Sequence, residues 1–168
     1  MPFTPFHFGP SSIIALSFRR NIDFFAFLLS NVIIDIEPLL VMIYHLDYPL
    51  HGYAHTFFIG TLIGIVWATI YYSRNSFFSK LSIFARLPYR KDFKGILLSC
   101  ILGVWFHVFL DSPLYSDIRP FYPFEANPLY GVVSANIVYL LCLIFLFPAI
   151  ILYGLQWRKT RHDNRETF

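Results

Sequence analysis

FFAFLLSNVIIDIEPLLVMIYHL, residues 24–46, decides the fold of this chain. A helix of that length rises about 35 Å, enough to cross a hydrocarbon core of about 30 Å. Two carboxylates, Asp35 and Glu37, sit in its middle, followed directly by Pro38. A carboxylate at membrane depth is costly by several kcal/mol unless it is paired, hydrated or bound to a cation. The same stretch therefore predicts both a membrane span and a functional site.

Three further apolar runs lie beyond it. His55–Tyr72 and Tyr130–Leu155 are long enough to span, and Gly95–Leu110 becomes so when its ends extend through Lys94 and Pro113. Ser11–Phe18 is too short to cross and reads as an N-terminal half-helix. The expected fold is an all-α integral membrane protein of about four transmembrane helices, with residues 1–155 as one helical domain. Residues 156–168 form a basic tail.

Composition agrees. The chain of 168 residues is 57% hydrophobic, 20% aromatic and only 14% charged, with mean hydropathy +0.57, too apolar for an ordinary soluble domain. The net charge of +3 does not point to nucleic acid, because the cations flank the apolar runs. Arg19 and Arg20 precede the first span. Arg74, Lys80, Arg86, Arg90, Lys91 and Lys94 separate the second from the third, and Arg158, Lys159, Arg161 and Arg165 follow the last. The two remaining loops hold only Arg119. The positive-inside rule places the basic side, and both termini, in the cytoplasm. Cys100 and Cys142 lie inside apolar runs, which argues against a disulfide framework. No basic n-region precedes an apolar core in residues 1–12, so no cleaved signal is expected.

The polar residues of the spans fall at similar depth. Thirteen residues separate His7 from Arg20, Asp35 from Ile22 and His107 from Lys94. At helical rise each lies about 20 Å from the basic side, if the chain turns at Arg19–Asp23. His55 and Asp111 lie about 17 residues from their nearest cytoplasmic boundary, a little further out. His51 and His55 are four apart, on one helical face if a helix begins near Pro49; His107 and Asp111 are also four apart. Such a pair can chelate one ion from one helix. Asp35 and Glu37 point apart on a regular helix, but a turn distorted by Pro38 can present both. The candidate ligands are thus His7, Asp35, His51, His55, His107 and Asp111, with Asp35 and Glu37 also candidates for a catalytic base.

Ordinary readings stand beside these. A lone intramembrane histidine often serves only in packing. His45 is placed as an interfacial residue at a span end. Asp47, Asp117 and Glu125 fall in outer loops, where a solvated carboxylate is common. The Pro- and aromatic-rich segment 112–129 reads as a rigid lid on the outer face. Its one cation, Arg119, is a candidate clamp for an anion such as phosphate, or an anchor for headgroups.

These motifs together resemble a LexA-regulated, inner-membrane, metal-dependent hydrolase family of bacteria. The resemblance covers residues 1 to about 150 and rests on five stretches. They are Met1-Pro2-Phe3-Thr4-Pro5-Phe6-His7, the segment Asn31 to Pro38, and His51-Gly52-Tyr53-Ala54-His55-Thr56. His107 to Asp111 and Arg119-Pro120-Phe121-Tyr122-Pro123-Phe124 complete the set. The family is distantly similar to the all-helical zinc-dependent phospholipase C and single-strand nuclease superfamily. The resemblance implies His7, Asp35, His55, His107 and Asp111 as ligands, with His51 and Glu37 next. It implies one or two divalent ions, zinc or manganese, in the bacterial inner membrane.

The expected function is a membrane-embedded metal-dependent hydrolase acting on a phosphoester or lipid-linked substrate through a metal-activated water. The competing expectation is a non-catalytic membrane protein that binds or conducts ions. In that case polar residues should continue through the inner half of the membrane, where Ser99 and Asn136 look isolated. A helical scaffold is the third, and would use Gly60 and Gly64 as a packing face.

Overall fold

A computed structural model describes residues 4–163, and all its regular elements are helical. A short 3-10 turn, Thr4–His7, leads into α1 (Phe8–Ser17). After it come α2 (Phe24–Ile34), α3 (Ile36–Tyr44), α4 (Phe57–Ser73), α5 (Asn75–Phe84), α6 (Phe93–Asp111) and α7 (Ala135–Asp163). α6 packs between α2 and α4, while α1 is held between α2 and α7.

Segment Phe24–Tyr44, α6 and Ala135–Arg158 are long and apolar enough to cross a membrane. α4 and α5 meet at 81° and count as a fourth if taken as one broken span. The outward side chains agree with a lipid environment. On α7, Leu140, Leu143, Ile144, Phe147 and Ile150 are all exposed. A soluble surface does not carry so continuous an apolar face.

The segment Phe24–Tyr44 is broken where the sequence suggested. Pro38 has no N–H to offer the Ile34 carbonyl, and its ring crowds that carbonyl. The helix therefore tightens, with Asp35 N–H donating to Val32 O at 3.1 Å, and restarts as Leu39 N–H reaches Asp35 O at 3.2 Å. His45, exposed and in the left-handed region at φ 49°, ends α3.

Several boundaries differ from the sequence expectation. The half-helix starts at Phe8 rather than Ser11. No helix begins near Pro49: residues Tyr53–His55 form a 3-10 turn, and α4 starts only at Phe57, capped by Thr56, whose hydroxyl accepts from Ile59 N at 3.0 Å. His51 and His55 therefore do not share an α-helical face. The last helix runs on through Asp163, past the start of the basic tail, and the residues beyond 163 lie outside the described residues. The basic stretch between the second and third apolar runs holds α5, a helix that its charge pattern does not announce.

Close helix approach depends on glycine. A Cβ at Gly103 would overlap the Ser30 hydroxyl and the Phe27 carbonyl, bringing α6 against α2. At Gly60 it would stand 2.7 Å from Val104, and at Gly64 3.4 Å from the Ile101 backbone, which fits the small-residue packing face expected for α4.

The basic end is tied by Asp23, fully buried. Its carboxylate accepts from Ala26 N at 3.0 Å, Tyr71 OH at 2.7 Å and Arg90 N at 3.0 Å, and its own N–H donates to Ser99 Oγ at 2.8 Å. Ser99 is therefore not isolated. Ser11, Ser30 and Asn31 are also buried, but their bonds close locally: Ser11 onto Asn31, and Ser30 and Asn31 onto the Phe27 carbonyl. This half of the bundle is more polar than the sequence suggested, and Asp23, Ser99, Ser11, Ser30 and Asn31 are spent on structure.

Candidate metal centre

α6 supplies His107 and Asp111 one turn apart, the α2–α3 break supplies Asp35, and the 3-10 turn before α4 supplies His55. One ligand atom from each lies within 4.8 Å of all the others. His107 Nε2 stands 3.2 Å from Asp35 Oδ1, 3.3 Å from Asp111 Oδ2 and 3.3 Å from His55 Nε2. His55 Nε2 to Asp35 Oδ1 is 3.7 Å. A tetrahedral ion with bonds of about 2.0–2.1 Å needs donor atoms about 3.3–3.4 Å apart. The distances from His107 fall near that figure and the whole group spans up to 4.8 Å, so these four residues can hold a metal ion of four or more ligands.

Protons cannot satisfy this cluster as well. An imidazolium His107 between two carboxylates is the simplest metal-free arrangement, but its single Nε2–H would face three acceptors at once. The outer partners suit one set of tautomers. In that set Glu37 Oε2, 3.3 Å away, accepts from His55 Nδ1–H, leaving His55 Nε2 as a lone pair. His7 Nδ1, 3.3 Å from His107 Nδ1, likewise accepts from its N–H, leaving His107 Nε2 as a second lone pair. Two lone pairs and two carboxylates then face one point, an arrangement that suits a divalent cation. His7 Nε2 approaches Asp111 Oδ1 to 3.1 Å, yet out of line for a hydrogen bond, so this buried oxygen is left unsatisfied.

Glu37 is an orienting group. Besides His55, its carboxylate accepts from Gly52 N at 3.0 Å, Ala54 N at 3.2 Å and Tyr48 OH at 3.3 Å. It thereby pins the whole turn that carries His55. A carboxylate behind a ligating histidine fixes its ring and raises its basicity. Pro38 makes this possible: on an unbroken helix Asp35 and Glu37 diverge, whereas here they face opposite nitrogens of one imidazole.

His51 sits beside the cluster but outside the four-ligand group. Its Nδ1 is 3.1 Å from Asp117 Oδ1, its N–H donates to Asp117 Oδ2 at 2.9 Å, and its ring lies 4.0 Å from that of Tyr115 and edge-on to His55 at 4.9 Å. Burial holds its imidazole below the ordinary range, against the pull of Asp117. Asp117 was read from sequence as an ordinary loop carboxylate. Sixty-six residues separate it from His51, so no local spacing announces the pair.

Two cavities reach residues that flank the centre, His51 in one and Glu37 in the other. One, of about 330 Å³, is polar and lined by His51, Asp117, Arg119, Tyr53, Tyr122 and Tyr48. The other is an apolar groove of about 480 Å³ along Ile33, Ile36, Leu40, Leu46 and Ile63, reaching Glu37 and the same Tyr48. Arg119 pairs with Glu125 at 3.1 Å, both exposed. Exposed pairs contribute little, so Arg119 can exchange Glu125 for another anion. The loop carrying it is fastened to α4 through Phe57 N and Pro120 O at 2.9 Å. Asp47 is exposed.

Comparison of the chain with protein-family models, curated proteins and solved structures gives no match.

Proposed function

We propose that this protein is a metal-dependent hydrolase of the bacterial inner membrane, cleaving a phosphoester or related bond in a lipid or lipid-linked substrate. The observation that carries the reading is the convergence of Asp35, His55, His107 and Asp111 within 4.8 Å of one another, with His51 packed on His55 and lining a cavity that also holds Asp117 and Arg119. In this reading α4 completes a set of four spans, the basic side is cytoplasmic, and the centre opens toward the outer leaflet.

A divalent cation held there, zinc or manganese, supplies Lewis acidity and makes water nucleophilic near neutral pH. The chain's own residues do the rest. Asp35, His55, His107 and Asp111 would hold the ion together with a bound water, Glu37 orients His55, and His7 backs His107. Asp35 is engaged as a ligand and Glu37 as an orienting acceptor, so proton transfer passes to His51. Asp117 holds His51 Nδ1, which leaves Nε2 to accept and return a proton. Arg119 binds the substrate anion in the polar cavity. The apolar groove that meets this cavity at Tyr48 suits an acyl or isoprenoid chain entering sideways from the bilayer.

The test is hydrolysis of a panel of phosphoester lipids by metal-loaded protein in lipid nanodiscs, beside Asp111→Ala. Turnover of one lipid, lost in the variant, supports the reading. No turnover of any lipid by a protein with metal bound would leave a non-catalytic metal protein.

A further inference from the structure

The opposite, basic end of the bundle carries a second cavity that the metal chemistry does not use. It has a volume of about 440 Å³ and is lined by Lys80, Lys91, Tyr72, Tyr89, Asn75 and Ser79, with no acidic residue in its wall. Three elements build it: the last turn of α4, the first turns of α5, and the segment leading into α6. The 81° bend between α4 and α5 opens it. Its wall is rich in hydrogen-bond donors, and the Tyr89 hydroxyl is buried with no partner in the protein.

The surroundings choose among anions. Phe77, Lys80 and Phe84 are spaced three and four residues apart along α5 and share one face. Phe77 is 63% and Phe84 81% exposed, beside Ile83 at 71%. A cation flanked by large exposed apolar rings suits the boundary between headgroups and acyl chains, and disfavours a site open to bulk water. Basic pockets at the cytoplasmic ends of spans are suited to anionic headgroups.

We infer that this cavity binds the phosphate of an anionic phospholipid of the cytoplasmic leaflet, with Lys80 and Lys91 as its charge partners and α5 lying along the membrane surface. The inference rests on the chain's lying in a bilayer and is independent of the metal centre. The ligand seats α5 against the bilayer, since Lys80 belongs to the same face as the two phenylalanines.

The experiment is native mass spectrometry of the detergent-purified full chain titrated with phosphatidylglycerol, phosphatidylcholine or inorganic phosphate. Lys80→Gln/Lys91→Gln is compared with Lys94→Gln, a basic residue outside the cavity wall, and with Lys80→Arg/Lys91→Arg. Two lysines at a membrane surface are worth roughly 25-fold in affinity for an anionic lipid. Retention of phosphatidylglycerol over phosphatidylcholine by the native protein, Lys94→Gln and the arginine variant is expected, with that preference lost in the double glutamine variant. Preference that persists in the double glutamine variant would overturn the site. Inorganic phosphate displacing phosphatidylglycerol at equal concentration would overturn the lipid assignment, and equal retention of the two lipids by native protein would overturn both.

Discussion

Replacing Glu37 by Gln tests the chain of contacts that makes His55 a ligand. The carboxylate accepts four hydrogen bonds, from Gly52 N, Ala54 N, Tyr48 OH and His55 Nδ1. Glutamine is nearly isosteric. Its carbonyl can take the place of Oε2 and keep Gly52 N and His55, while its amide turns to Tyr48, whose hydroxyl can accept. The turn should therefore survive with a melting temperature close to native. What is lost is the negative charge behind the imidazole, and losing such a partner weakens metal binding by about 10- to 100-fold. That corresponds to about 1.4–2.7 kcal/mol. Competition of the purified protein with a fluorescent zinc chelator measures it directly. Glu37→Ala should weaken binding further and also unfold the turn, because two backbone donors lose their acceptor at about 1–3 kcal/mol each. Unchanged zinc affinity in both variants would refute the orienting role and detach His55 from the site.

Other outcomes follow from the packing and from the ligand set. Asp23→Ala strands Ala26 N, Tyr71 OH and Arg90 N, and should cost about 3–5 kcal/mol in a denaturation series, far beyond an average substitution. Gly103→Ala must push α6 from α2 and should destabilise by about 1–3 kcal/mol, whereas Gly154→Ala, where a Cβ meets nothing within 4 Å, should be neutral or stabilising in the same thermal assay. Chelator treatment should lower the melting temperature of the native protein but leave His107→Ala/Asp111→Ala unmoved, since a ligand at a hundred times its dissociation constant stabilises by about 2.7 kcal/mol.

Much of the centre could be read from the chain. Asp35, His55, His107 and Asp111 stood out because ionisable groups are rare in apolar runs, and counting helical rise put them at similar depth. Pro38 signalled the distortion that lets Asp35 and Glu37 serve one imidazole. What stayed hidden depended on three-dimensional pairing. Spacing alone put His51 on a helix with His55, but Gly52 and the short Tyr53–His55 turn break that face and swing His51 to Asp117. Asp23 looked like one polar residue of a turn, since its partners Tyr71, Arg90 and Ser99 are far off in sequence. α5 escaped notice because its apolar side chains are interleaved with serines and a lysine, and only the bend after Ser73 shows that they form a separate helix.

The central claim is that Asp35, His55, His107 and Asp111 hold a divalent metal. Elemental analysis of the detergent-purified native protein beside His107→Ala/Asp111→Ala, with both shown to be folded, tests it most directly. The account predicts stoichiometric zinc or manganese in the native protein, or its uptake on addition, and none in the variant. A folded native protein that takes up no metal after addition would contradict it, and would return the four residues to a buried hydrogen-bonded cluster.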